Sequence, residues 1–118
     1  MQNLPDINYQ LSGKDLFDAF KLQLAKDFEQ SNFPSAFAAD LEPDYRGIVE
    51  KIAHEIQLNE KRTDFNVIQI LYRIDISETQ LKKYLTKYEN DSYYNVLAEL
   101  IIKRVLQKVV TKQHYKAN

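Results

Sequence analysis

The sequence predicts an all-α protein, a compact bundle of about five helices built around a long central C-terminal helix. Three observations lead there. Apolar residues recur at spacings of three and four along most of the chain, whereas alternation with a period of two is nowhere sustained. Capping residues such as Ser77 and the run Asn90-Asp91-Ser92 punctuate these periodic stretches where helices should start and stop. Finally, Tyr93 to Tyr115 carries one uninterrupted helical pattern with neither glycine nor proline. A length of 118 residues is ordinary for one domain, and no repeat or linker divides it, so residues 1–118 are read as a single helical domain.

The first helix is expected to be capped by Ser12 or Asp15 and to run to about Gln30, with Leu16, Phe17, Phe20, Leu24 and Phe28 facing inward and Lys14, Asp18, Lys21 and Lys26 outward. Pro34 disfavours helical geometry at Phe33, so the chain breaks at 31–35, and a short helical turn at 36–41 follows, with Ser35 as its cap. Pro43 suits the first position of a second helix, whose stripe is Tyr45, Ile48, Val49, Ile52 and Ile56 and which ends near 59–61. Thr63 and Asp64 then offer a cap for a helix at 65–74 with Phe65, Ile68, Leu71 and Tyr72 in one stripe. Ser77-Glu78-Thr79-Gln80 reads as a capping box that opens a helix with Leu81, Tyr84, Leu85 and Tyr88 inward.

The final helix changes character halfway. Val96, Leu97, Ala98, Leu100, Ile101 and Ile102 surround its axis and leave only Asn95 and Glu99 as a polar strip. Beyond them the faces separate, with Val105, Leu106, Val109 and Val110 on one side and Lys103, Arg104, Lys108 and Lys112 on the other. The stripes of Ile48 and Leu71 are expected to pack on this helix. The arc from Val105 to Val110 is nearly half the circumference, wider than short neighbours would cover, so a homodimer contact through Val105, Leu106, Val109 and Val110 is predicted.

Composition excludes several classes of function. There are no cysteines, hence no disulfides, thiolate metal sites or cysteine nucleophiles. Glycine occurs only at Gly13 and Gly47, so there is no glycine-rich loop to cradle a phosphate. The first residues lack the basic flank and apolar run of a secretory signal, and no apolar run is long enough to span a bilayer, so the expectation is a cytoplasmic protein with no membrane partner. The net charge of −1 is unevenly distributed: residues 1–61 hold 6 basic and 11 acidic side chains, and residues 62–118 hold 10 and 6. Either the halves pack with complementary charge or the basic half meets an acidic partner.

Few constellations suggest chemistry. Glu50 and His54, four apart, share a helix face and could chelate a metal, but a third and fourth ligand are not in view. Asp40, Glu42 and Asp44 alternate as at the start of a calcium loop, yet Tyr45 stands where that loop needs glycine and Lys51 where it needs its closing acid. No Gly-x-Ser-x-Gly elbow occurs. No cofactor is implied, and the chain is not expected to be an enzyme.

The segment 67–87 resembles a helix-turn-helix. Ile70, Ile74, Ile76, Leu81 and Tyr84 fall where that motif buries apolar residues, and Ser77 caps what would be its recognition helix. The resemblance implies that Thr79, Gln80, Lys82, Lys83 and Lys87 meet DNA, with Arg104 and Lys108 extending the basic surface. Leu71, at the helix crossing, and Asp75, at the turn glycine, depart from the motif. The leading expectation is a non-catalytic protein, regulatory or self-associating, that works through protein–protein contacts. DNA binding through 67–87 and metal binding at Glu50 and His54 are the alternatives.

Overall fold

The computed structural model describes residues 13–61 and 67–117, the last four of these by backbone alone. The protein is all-helical. Five α-helices, α1 (Lys14–Glu29), α2 (Tyr45–Asn59), α3 (Val67–Arg73), α4 (Glu78–Lys87) and α5 (Tyr93–Ala117), are joined by a 3₁₀ turn at Ala36–Asp40 and by short loops, and no strand occurs among the described residues. None of these helices is long and apolar enough to cross a membrane.

The long helix α5 is the axis. Val96, Leu97, Ala98, Leu100, Ile101 and Ile102 are all buried, so the residues that surround its first half are enclosed on every side. Helix α2 lies along it with the expected stripe of Tyr45, Ile48, Val49, Ile52 and Ile56, and α1 contributes Phe17, Phe20, Leu24 and Phe28. Enclosing a side chain of this size contributes about 1.5–3 kcal/mol. These three helices therefore hold most of the stabilising surface.

Local chemistry sets the helix ends, and it departs from expectation at three starts. Gly13, with no side-chain bond, precedes α1; Asp15 lies inside its first turn, and Ser12 is outside the described residues. Asp44 caps α2 by accepting from the Gly47 N–H at 3.0 Å, so the helix opens at Tyr45 and Pro43 sits outside it. Ser35 precedes the 3₁₀ turn but makes no capping bond. The capping box at α4 forms as read: the Gln80 N–H donates to Ser77 Oγ at 3.1 Å and the Ser77 N–H donates to Gln80 Oε1 at 2.9 Å. Ser92 caps α5 through the Asn95 N–H at 3.1 Å.

Two helix ends share one device. After α1, Asn32 takes φ 65°, the Phe33 N–H donates to Phe28 O at 2.9 Å and the Asn32 N–H to Glu29 O at 3.1 Å. After α3, Asp75 takes φ 62°, the Ile76 N–H donates to Leu71 O at 2.8 Å and the Asp75 N–H to Tyr72 O at 3.2 Å. Both are Schellman closures, in which a left-handed residue lets two amides return to orphan carbonyls. Each brings its apolar pair together, Phe33 beside the Phe28 ring and Ile76 buried like Leu71.

Helix α3 corrects one stripe. Of the residues expected inward, only Leu71 is buried; Ile68 and Tyr72 are exposed, and Ile70 and Ile74 take the inner face. Phe65, with the proposed cap at Thr63 and Asp64, lies outside the described residues. The Leu71 stripe also packs chiefly on α1 rather than on α5. Polar bonds also tie its end to α5, for a reason that begins at Asp27.

Candidate functional site

Asp27 stands on the inner face of α1, one turn after Leu24, and its side chain is 1% exposed. A carboxylate held this far from water needs compensating partners. Lys108 on α5 donates to both of its oxygens, at 3.2 and 3.1 Å, and Gln23, one turn earlier on α1, donates to Oδ1 at 3.1 Å. Arg73, the last residue of α3, brings Nε within 3.6 Å. Lys112 completes the set by donating to Gln23 Oε1 at 2.7 Å. The pair Gln23 and Asp27 thus meets the pair Lys108 and Lys112, each spaced by four, across the contact between α1 and α5.

The same basic residues close the end of α3. Lys108 Nζ lies 3.4 Å from Arg73 O, and Arg104 Nε donates to Ile74 O at 3.2 Å. Those carbonyls end a helix and have no partner within it, and the negative end of its dipole favours cations. Arg104 also donates to Gln107 at 2.6 Å and approaches Asp75 at 4.0 Å. The basic face of α5 is therefore not the solvent-facing strip suggested by its spacing. Arg104 and Lys108 turn inward to fix α3 and the turn after it, and this basic half of the chain meets the acid of the other half at Asp27.

What α5 holds in place is the outer surface of α3 and α4. Helix α3 makes its main contacts with α1 and α4 with α5, rather than with each other. Helix α4 buries no residue fully: Leu81, Tyr84, Leu85 and Tyr88 are half-buried against the core, and Tyr84 accepts from Lys103 Nζ at 2.8 Å. Thr79, Gln80, Lys82, Lys83 and Lys87 are all exposed, with Thr79, Lys83 and Lys87 in one row down the helix. Gln80 spends its side chain on the capping box, and Lys87 lies 5.4 Å from the centre of the Tyr88 ring. Where α4 begins, Ile68, Leu71, Tyr72, Ile76, Ser77 and Glu78 line a notch of about 130 Å³. Tyr72 stands beside it, 79% exposed.

Asp75 bears on the helix-turn-helix resemblance in both directions. The residue adopts the left-handed conformation that the motif usually gives to glycine, so the departure in residue type is not one in backbone. The two helices nonetheless lean on different partners, and the apolar positions of the motif are buried at Ile70, Ile74 and Ile76 but only half-buried at Leu81 and Tyr84.

The remaining candidates are scattered. Glu50 and His54 are both exposed on α2; His54 lines a shallow groove of about 540 Å³ with Gln57, Leu58, Lys61 and Tyr94, and Glu50 does not. No group of three metal-ligating side chains gathers among the described residues. Asp40, Glu42 and Asp44 border another open groove, of about 400 Å³, beside Lys51, but the Asp44 carboxylate is engaged as the α2 cap. On α5, Val105, Leu106 and Val109 are covered from within the chain, and Val110 alone of the predicted contact is exposed, at 39%.

Two tyrosine–carboxylate pairs tie α5 to α2 and its C-terminal cap. Tyr45 donates to Glu99 at 3.0 Å, and burial pushes both groups up, the tyrosine well above its usual range. Tyr94 donates to Glu60, which raises its own hydroxyl. Sequence reasoning missed Asp27, although a signal existed: its position three beyond Leu24 and seven beyond Phe20 places it on the apolar arc.

No protein-family model matches the chain, and no curated protein or solved structure is similar to it.

Proposed function

We propose that the chain is a non-catalytic protein that works by presenting the outer face of α3, its turn and α4 to a protein partner. One observation carries this reading: Tyr72, a large aromatic that ordinarily packs, is 79% exposed beside an apolar notch, on a helix whose position is fixed from behind by Arg104 and Lys108. An exposed aromatic on a rigid support loses little conformational entropy on docking, which is why such residues anchor interfaces. No group of three metal-ligating side chains gathers elsewhere among the described residues.

Replacing Tyr72 with a photo-reactive benzoylphenylalanine in cells tests the reading. The expected product is one discrete adduct, resistant to nuclease and sensitive to protease, that is absent when the same group replaces Glu50. The absence of any adduct specific to Tyr72 refutes it.

DNA binding through α4 is the second reading, favoured by the left-handed turn at Asp75 and by the exposed Lys82, Lys83 and Lys87. Its reach is limited because Arg104 and Lys108 are engaged elsewhere. Salt-dependent binding to random duplex is its minimum requirement.

A further inference from the structure

The face of α3 and α4 places an apolar notch beside a pair of exposed lysines. The notch at the α3–α4 junction holds about 130 Å³, the scale of one aliphatic or small aromatic side chain, and Leu71 and Ile76 form its apolar floor. The Schellman closure at Asp75 brings those two residues together, so the notch is formed by the backbone itself and is present before any ligand arrives. One turn along α4 from Glu78, on the same face, is Lys82, and Lys83 lies beside it. Both are exposed, and neither makes an ion pair among the described residues.

We propose that this face binds an acidic protein segment that seats a single apolar side chain in the notch and sets its carboxylates against Lys82 and Lys83. The inference rests on the interaction reading above and names its partner chemistry. Charge decides the occupant: α4 carries Lys82, Lys83 and Lys87 against Glu78 alone, and with the exposed Asp75 of the preceding turn counted the lysines still outnumber the acids, on a chain whose net charge is −1. Like-charged surfaces are rejected and an acidic one is steered in. A second copy of the same face would bring lysines against lysines. A nucleic acid would find only three lysines and would have no use for an apolar socket.

Selection of random 12-residue peptides displayed on phage, with the intact chain as bait, tests the proposal without assuming a sequence. The enriched peptides are expected to be acidic, with one recurring Leu, Phe or Met. Changing that residue to Ala, or Tyr72→Ala in the protein, should weaken binding by roughly tenfold, the loss that corresponds to about 1.4 kcal/mol. The double variant Lys82→Glu/Lys83→Glu should abolish binding of the acidic peptides and allow basic ones to enrich. Both variants alter exposed side chains, and an unchanged circular dichroism spectrum verifies their fold.

Enriched peptides that are indifferent to Tyr72→Ala and to the lysine reversals would overturn this inference and leave an interaction protein with a different surface. Failure of any peptide to enrich, together with duplex DNA binding that the lysine reversals abolish, would overturn both.

Discussion

Lys108→Met should destabilise the protein by about 3 kcal/mol, and the arithmetic begins with where the charge would be left. The Asp27 carboxylate is 1% exposed and Lys108 is 24% exposed, so the two partners depend on each other unequally. Removing the lysine strands a buried anion with Gln23 at 3.1 Å and with Arg73 only at 3.6 Å. Breaking a buried pair from one side costs about 3–5 kcal/mol, and the residual Arg73 contact places this case at the lower end. For a chain of this size each kcal/mol lowers Tm by about 4 °C, so a fall of about 12 °C is expected. Methionine keeps most of the aliphatic stem of Lys108, so the loss reports charge rather than packing. Asp27→Asn should cost less, because Lys108 can reach water whereas the carboxylate cannot. Removing both charges, as in Asp27→Leu/Lys108→Met, should recover most of the loss, since a packed apolar pair often equals a buried ionic one. Urea titration followed by circular dichroism measures all four proteins. A cost for Lys108→Met within about 0.5 kcal/mol of zero, on the scale of an ordinary surface change, or a larger cost for Asp27→Asn than for Lys108→Met, would refute the reasoning.

The two left-handed closures make a second case: Asp75→Gly should stabilise by about 0.5–1 kcal/mol, because glycine adopts that conformation without strain and the lost Arg104 contact at 4.0 Å is weak. Asn32→Gly should gain less, since asparagine tolerates the region well, and thermal melts compare the two. Gly47 poses a sharper test. A Cβ there would meet the capping oxygen of Asp44 at 2.8 Å, so Gly47→Ala should set a helix-propensity gain of about 1 kcal/mol against a similar loss of the cap and come out near zero. In an Asp44→Ala background the same change should stabilise by about 1 kcal/mol, and a double-mutant cycle reads the difference. Glu99 supplies the pH dependence. Burial raises its carboxyl although the bond from Tyr45 opposes the rise, so its contribution to stability is present at low pH and is lost as pH rises through the raised value. Glu99→Gln should remove that decline; the difference in unfolding free energy between parent and variant, followed from pH 4 to 7, should grow in favour of the variant, and a flat difference would contradict the assignment.

Much of the fold was legible because most of the chain follows one rule at a time. The stripes of α1 and α2 and the enclosed first half of α5 are apolar at helical spacing, and burial follows from that spacing whatever the partner. The capping box at Ser77 was legible for the same reason, since both of its bonds lie within four residues. Helix α3 was harder. At seven residues it offers two competing stripes, and the choice of Ile70 and Ile74 over Ile68 and Tyr72 depends on the face toward α1. The candidate face inherits that difficulty: its lysines were legible, but the exposure of Tyr72 and the notch beside it were not.

The sequence by itself determined the helical class, most of the helix boundaries and which residues of α2 and of the first half of α5 are inside, because those are consequences of local periodicity and of capping bonds between near neighbours. Only the tertiary structure decided what the basic half of α5 is for. Lys108 lies 81 residues from Asp27 and 35 from Arg73, and the Arg104 guanidinium ends on a carbonyl 30 residues away. Such pairings have no local signature, because a long flexible cation on a helix surface looks the same in sequence whether it ends in water or on a buried carboxylate.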